Sequence, residues 1–374
     1  MLSEPDVAQL PNTLAASEIA DTDTIAVADQ SHTNKESKAV TVADLLSKAS
    51  GISEDEKRKI ATIPAPPPAT PSGSTDVTLA SLTKSGSIST RYGMGMVGTP
   101  TSGIIFGGTA GATRLNDFYS YSVSGGTVTL TALTRAGASI SARFSMGMVG
   151  TATSGIIFGG TAGSTTYFND FYSYSVSGGT VTLTALTRSG VSISGRSAMG
   201  MVGTATSGII FGGRTRTRFN DFYSYSVSGG TVTLTALTRA GASISARQNM
   251  GMVGDTTSGI IFGGYSAPNL NDFYSYSVAG STITLTALTR AGASISARFG
   301  MGKVGTPTSG IIFGGYSTTI LNDFYSYSAS GGTVTLTAPT RAGASISARA
   351  YMGMVGTAAS GIIFGGVEIQ HHRP

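Results

Sequence analysis

Residues 75–374 alternate short apolar runs with polar turns on a period near fifty. The apolar frame Gly-Ile-Ile-Phe-Gly-Gly occurs six times and ends at Gly108, Gly160, Gly213, Gly264, Gly315 and Gly366. An Arg recurs with it, at Arg91, Arg143, Arg196, Arg247, Arg298 and Arg349, and the copies lie 51 to 53 residues apart. Self-similarity at this period signals one supersecondary unit repeated in a stack or a ring. In the copy that starts at Arg91, Met94-Gly95-Met96-Val97 predicts a short first strand, and Ile104-Ile105-Phe106 a fully apolar second strand closed by Gly107-Gly108. Phe118 to Val123 predicts an aromatic third strand after Asn116-Asp117, with Ser124-Gly125-Gly126 as its hairpin turn. Thr127 to Leu133 alternates Thr with apolar residues, as a half-exposed edge strand does. Ala136 to Ala142 then returns to the next Arg.

Four antiparallel strands per unit, with a double Gly after the second, describe the blade of a β-propeller. A β-solenoid fits less well, because its coils are shorter and need no such punctuation. The pattern resembles the kelch repeat over about 300 residues: Gly-Gly after the second strand, an aromatic third strand after an acidic turn, and an Arg before the first. It departs from that family at the fourth strand, where a Trp is usual and Leu130 and its equivalents stand here. Asp76 to Lys84 reads as a fourth strand with no first three before it, and the last unit has only its first two, Met352 to Val355 and Ile362 to Phe364. The N-terminal strand is therefore expected to complete the last blade, with Val367-Glu368-Ile369-Gln370 as its third strand. The expected fold is all-β: a six-bladed kelch-like propeller of four-stranded antiparallel blades over 75–374, behind a small mixed α/β N-terminal segment.

Residues 1–63 have a different pattern. Thr24 to Ala28 and Ala39 to Val42 alternate like short strands, Ala43 to Leu46 starts a short helix, and Ser53 with Glu56 is a capping box opening a helix over 54–62. The Pro-rich run in 64–74 is a semi-rigid spacer. The stretches Asp23 to Asp29 and Ser37 to Leu46 resemble the attachment segment of bacteriophage tail-fibre and related virion proteins. That resemblance implies a chain anchored through residues 1–63 to other virion tail or baseplate proteins, trimeric as such fibres are, made in a bacterial cytoplasm and carried on the virion. Charge divides the same way: residues 1–74 carry 11 acidic and 6 basic side chains, and the remainder 8 and 18, within a net +5. A basic propeller favours an anionic partner. Arg spaced one per blade gives no continuous phosphate track, so nucleic acid is not the expected one. The acidic start is no secretory signal, and no run approaches the ~18 apolar residues of a membrane span.

Candidate chemistry is sparse. Without Cys there is no thiolate metal site and no Cys nucleophile. The three His are His32, His371 and His372, and no His-Glu-x-x-His, phosphate-loop or EF-hand pattern is present. No enzyme, cofactor or metal site is expected. Each of Asp117, Asp170, Asp221, Asp272 and Asp323 is read as a turn residue that pairs with a framework Arg. The positions that differ between copies fall after each double Gly and after each Arg. In an up-and-down blade those two loops share one end, and loops carry function on a rigid scaffold. Tyr92, Phe144, Tyr167, Tyr265, Phe299, Tyr316 and Tyr351 supply amphipathic rings suited to sugars or protein surfaces. Arg214, Arg216 and Arg218 alternate in one loop and suit carboxylate or phosphate. Gln248 and Asn249 complete the candidate face. The expected ligand is a bacterial surface glycan, anionic lipopolysaccharide or capsule included, or another host receptor. The alternatives are a virion decoration that contacts other capsid or tail proteins, and a cellular kelch-like interaction scaffold.

Overall fold

A computed structural model describes residues 76–368. The elements expected in residues 1–74 and at Ile369 and Gln370 lie outside the described residues; among the described residues no helix occurs. Five complete blades are present among the described residues. Blade 3 is typical: the inner strand Gly200–Gly203 pairs antiparallel with Ser207–Phe211, that with Phe222–Ser228, and that with Thr231–Ala236. In register, Phe211 faces Phe222, Gly208 faces Tyr225, and Tyr225 faces Leu234.

Each complete blade has five strands, not the four expected. The extra strand comes from the preceding repeat. Thr187–Gly190 runs parallel to Thr231–Ala236 and forms the outer edge of blade 3. The fourth strand is therefore covered, which is why Val232 and Leu234 are almost fully buried instead of half exposed. The true edge, Thr187–Gly190, is exposed along its length and carries Arg188; a charged edge resists pairing with other chains. Gly190 ends it at φ +79, where an added Cβ would stand 2.2 Å from the Leu234 carbonyl oxygen.

Among the described residues the expected sixth blade is not complete. Two separate two-stranded pieces stand in its place: Gly353–Gly356 with Gly361–Phe364, and Asp76–Leu79 in parallel with Thr340–Gly343. The N-terminal strand is thus recruited to the last blade, as its pattern implied. Val367 does not begin a third strand. It bridges Ala350, as Thr109 bridges Tyr92 in blade 1. The ring still closes, for Gly353–Gly356 touches the inner strands of blades 5 and 1, and the Gly366 amide donates to the Arg91 carbonyl at 3.0 Å.

Glycine at the inner strand makes room for the neighbouring blade. A Cβ on Gly95 would lie 2.6 Å from the Met148 sulfur, and one on Gly147 the same distance from that of Met201. The methionines fill the gaps between blades, a role suited to a flexible thioether. Stacked phenylalanines fill each blade, Phe211 on Phe222 at 4.2 Å between centroids.

Candidate recognition face

The framework Arg joins blades. The Arg196 amide donates to the Phe168 carbonyl of blade 2, while its guanidinium reaches into blade 3. There it donates to both Asp221 carboxylate oxygens, at 2.6 and 2.9 Å, and to the Gly212 carbonyl at 2.9 Å. Arg91, Arg143, Arg247 and Arg298 make the same fork on Asp117, Asp170, Asp272 and Asp323. These Arg–Asp pairs are fully used as structure, each guanidinium being almost completely buried.

That framework holds the two variable loops of each blade side by side. Antiparallel bridges join Tyr92 to Thr109, Phe144 to Thr161, Ser197 to Arg214, Gln248 to Tyr265 and Phe299 to Tyr316. The loops share one end of the disc, as the strand order requires. Towards the axis the chain makes a ring of backbone hydrogen bonds. Gly93 donates to the Tyr351 carbonyl, Ser145 to Gly93, Ala198 to Ser145, Asn249 to Ala198, Gly300 to Asn249 and Tyr351 to Gly300, at 2.7 to 2.9 Å. All six residues are left-handed, with φ from 52 to 64°. Four of them are not Gly, which costs about 1 kcal/mol each for the conformation. Closing the circle of six amides and six carbonyls offsets that cost.

The candidate side chains divide into groups. Tyr92, Tyr351, Phe299, Tyr316 and Tyr265 form one aromatic arc: Tyr92 to Tyr351 at 6.2 Å, Tyr351 to Phe299 at 6.1 Å, and Phe299 to Tyr316 and Tyr265 at 5.3 and 5.5 Å. Arg218 stacks on Tyr265 at 4.4 Å and extends the arc across blade 4. Arg214 and Arg218 face each other across a tight hairpin with exposed Arg216 at its tip. Tyr351 is the point of convergence. Burial pushes its phenol up to about 12, the Arg214 charge pulls it down, and Tyr92 and Tyr316 push it up.

Four candidates do not join this arc. Gln248 is buried at 7% exposure with no partner for its Oε1, so it belongs to the loop's interior and not to an outward contact set. Asn249 belongs to the backbone ring. Phe144 pairs instead with Arg114, whose guanidinium lies 4.7 Å over its ring and donates to Thr109 and Ala112. Tyr167 has no ring contact with the others. Arg114 was not a sequence candidate, although its place in a variable loop was the available signal.

Lys303 is a second omission. It takes a place held by Met in the other complete blades, lines the axial channel with Tyr351 and Asn249, and burial pulls its ammonium below the usual lysine range. With no Met sulfur to meet at Gly251, the Phe262 ring moves into that gap, and its stack on Phe273 lengthens to 5.3 Å. Among the described residues no group of three His, Asp or Glu gathers as metal ligands, and no helix is long and apolar enough to cross a membrane.

Radial blades, double-Gly turns and the buried Arg forks define a kelch-type β-propeller. The family model for the KLHDC2/KLHL20/DRC7 Kelch-repeats domain matches twice, over residues 75–253 and 174–366. The chain belongs to this kelch-repeat family. No curated protein matches it.

Proposed function

We propose that this propeller is a non-catalytic recognition module whose variable loop face holds an anionic partner. One observation carries the reading. Arg114, Arg214, Arg216 and Arg218 stand with an aromatic arc in loops that contain no Asp or Glu in blades 1 to 5. The turns at the opposite end barely change from blade to blade. Kelch membership supports partner binding as the general role.

For the setting, the resemblance of Asp23 to Asp29 and Ser37 to Leu46 supports a virion attachment fibre. Its partner would be a bacterial surface glycan, contacted weakly by several loops and held by avidity across a trimer or several fibres on one particle. Kelch membership equally supports a protein partner in a cellular scaffold. The Arg214→Ala/Arg216→Ala/Arg218→Ala chain tests the face, with binding to purified anionic and neutral glycans and recovery of proteins on immobilised chain as readouts. Loss of anionic-glycan binding with unchanged melting supports the fibre reading. Loss of a recovered protein supports the scaffold. Full retention of both removes these arginines from the function. Immunogold labelling of purified particles separates the settings independently.

A further inference from the structure

One inner strand differs from the others in the direction its second side chain takes. That residue is Met96, Met148, Met201, Met252 and Met354 in five repeats and Lys303 in the remaining one. The five methionines do the same thing. Each sulfur packs over the inner-strand glycine of the blade before, where an added Cβ would lie 2.6 to 2.9 Å from it. Lys303 is not in its corresponding gap, for the atoms nearest Gly251 belong to the Phe262 ring. Lys303 instead lines a cavity of about 120 Å³ on the propeller axis, which none of those five methionines lines.

Two tiers wall this cavity. One is the hydrogen-bonded ring of six left-handed residues, from Gly93 to Tyr351. The other is the methionine that follows each of them in sequence, as Met94 follows Gly93 and Met301 follows Gly300. The ring's amides are all spent on its own carbonyls. Ser145 and Asn249 bring polar side chains, and neither side chain is in a hydrogen bond among the described residues. No Asp, Glu, Arg or His of the described residues lines the space. Tyr351 is neutral there, since its phenol is pushed up to about 12. Lys303 is therefore the single charge of the cavity. No hydrogen bond or ion pair holds its ammonium among the described residues, and burial alone pulls it below the usual lysine range. A cation withdrawn from water costs free energy until a counter-charge joins it. Met occupies the same place in the other repeats with no such cost.

We propose that the axial cavity binds one small, weakly hydrated monovalent anion, held by the Lys303 ammonium with the Ser145 hydroxyl and the Asn249 amide as further donors. The walls choose the class of ion. Thioether methyls and sulfurs are apolar and polarisable, so an entering ion gives up most of its hydration shell to them. Thiocyanate and iodide surrender that shell most cheaply. Sulfate and phosphate are strongly hydrated and carry more charge than one ammonium neutralises. The site stands apart from the loop arginines and does not depend on the partner they hold.

The test uses the full chain, with sodium thiocyanate, iodide and sulfate as probes at constant ionic strength. Calorimetric titration with thiocyanate is expected to saturate at one ion per chain, with iodide competing and sulfate not. Lys303→Met supplies the residue of the other five repeats, and Lys303→Gln keeps a polar chain without charge. Both should weaken thiocyanate by about tenfold or more while circular dichroism stays at the parent spectrum. The Arg214→Ala/Arg216→Ala/Arg218→Ala chain should bind thiocyanate as the parent does, so failure here and failure of the loop-face reading are separate results. Anomalous scattering from iodide-soaked crystals should place an ion on the axis beside Lys303. Absence of saturation, parent-like binding by both Lys303 variants, or iodide on the loop arginines alone overturns the proposal.

Discussion

Among the described residues, blade 3 and the sixth blade are built from nearly the same sequence and differ in one strand. Both have the Gly-Ile-Ile-Phe-Gly-Gly frame, a framework Arg and an outer strand from the preceding repeat. In blade 3 the isoleucines and Phe211 are essentially inaccessible; in the sixth blade the same residues are half-buried. The apolar frame therefore does not bury itself. The aromatic third strand seals it, by laying Phe222 on Phe211 and Tyr225 over Gly208. The comparison separates what the repeat encodes locally, namely strands and turns, from what only a complete blade delivers.

The widest predicted gap between the two blades lies at the framework Arg. Arg196→Ala leaves the Gly212 carbonyl unpaired, frees the Asp221 carboxylate and removes a guanidinium packed over Phe219 at 4.3 Å. Since Asp221 is about one-third exposed, the loss belongs at the lower end for broken buried pairs, about 3 kcal/mol. Arg349→Ala loses the pair with exposed Glu368, the bond to the Gly365 carbonyl and exposed local bonds to Ser347, so about 1 kcal/mol is expected. Urea midpoints of the two variants against the parent measure the difference. Equal losses would mean that Arg349 has a partner equivalent to Asp221.

Much of this architecture was legible from sequence because the repeat is long, apolar and punctuated. The double Gly, the recurrent Arg and the aromatic strand each demand one geometry, and the lone fourth strand at residues 76–79 announced a shared last blade. The outer strand was not legible. Thr187-Arg188-Ser189-Gly190 has no alternation and no apolar residue, and it becomes a strand only because the next repeat offers Thr231–Ala236 as an edge. The loop face was legible in placement and only partly in content. Six copies that differ after the Arg flagged the region, but whether a side chain points outward or inward depends on neighbouring loops. Gln248 turned inward for that reason. Gly at positions 93 and 300 was the signal for the left-handed ring, and Asn249 and Tyr351 occupy the same conformation without it. Among the described residues, five complete blades instead of six follow from the third strand alone, since Val367 continues the second-strand bridge pattern.

A second, smaller contrast sits at the Gly under the Tyr ring. On Gly208 a Cβ would stand 2.3 Å from the Val202 carbonyl oxygen and 2.4 Å from the Tyr225 ring. Tyr225 is tied to the Thr204 carbonyl at 2.7 Å and cannot yield without losing that bond. Gly208→Ala should cost about 2 kcal/mol, within the range for overpacking. On Gly361 the nearest atom is the Val355 carbonyl oxygen at 2.9 Å, with no ring above. Gly361→Ala should then cost under about 1 kcal/mol, because a shift of a few tenths of an ångström relieves it. Thermal melts of both variants decide. A penalty at Gly361 as large as at Gly208 would show that a side chain already covers it.

The smallest effect is in the pH dependence, and it belongs to the complete blades alone. Burial raises the phenols of Tyr121, Tyr174, Tyr225, Tyr276 and Tyr327 well above their ordinary range. A phenol whose folded-state pKa is raised keeps its proton in the fold, so the unfolded chain releases protons first as pH climbs. The stabilisation is whole below the unfolded phenol value of about 10 and is lost progressively above it. Urea midpoints should therefore be flat between about pH 7 and 9 and fall beyond about pH 10. Tyr225→Phe removes the hydroxyl and its bond to Thr204, costing about 1 kcal/mol at neutral pH. The same variant should lose less stability than the parent between about pH 10 and 11, since it has one fewer buried phenol to ionise. A parent and variant that fall in parallel would show that the alkaline loss comes from groups other than these five tyrosines.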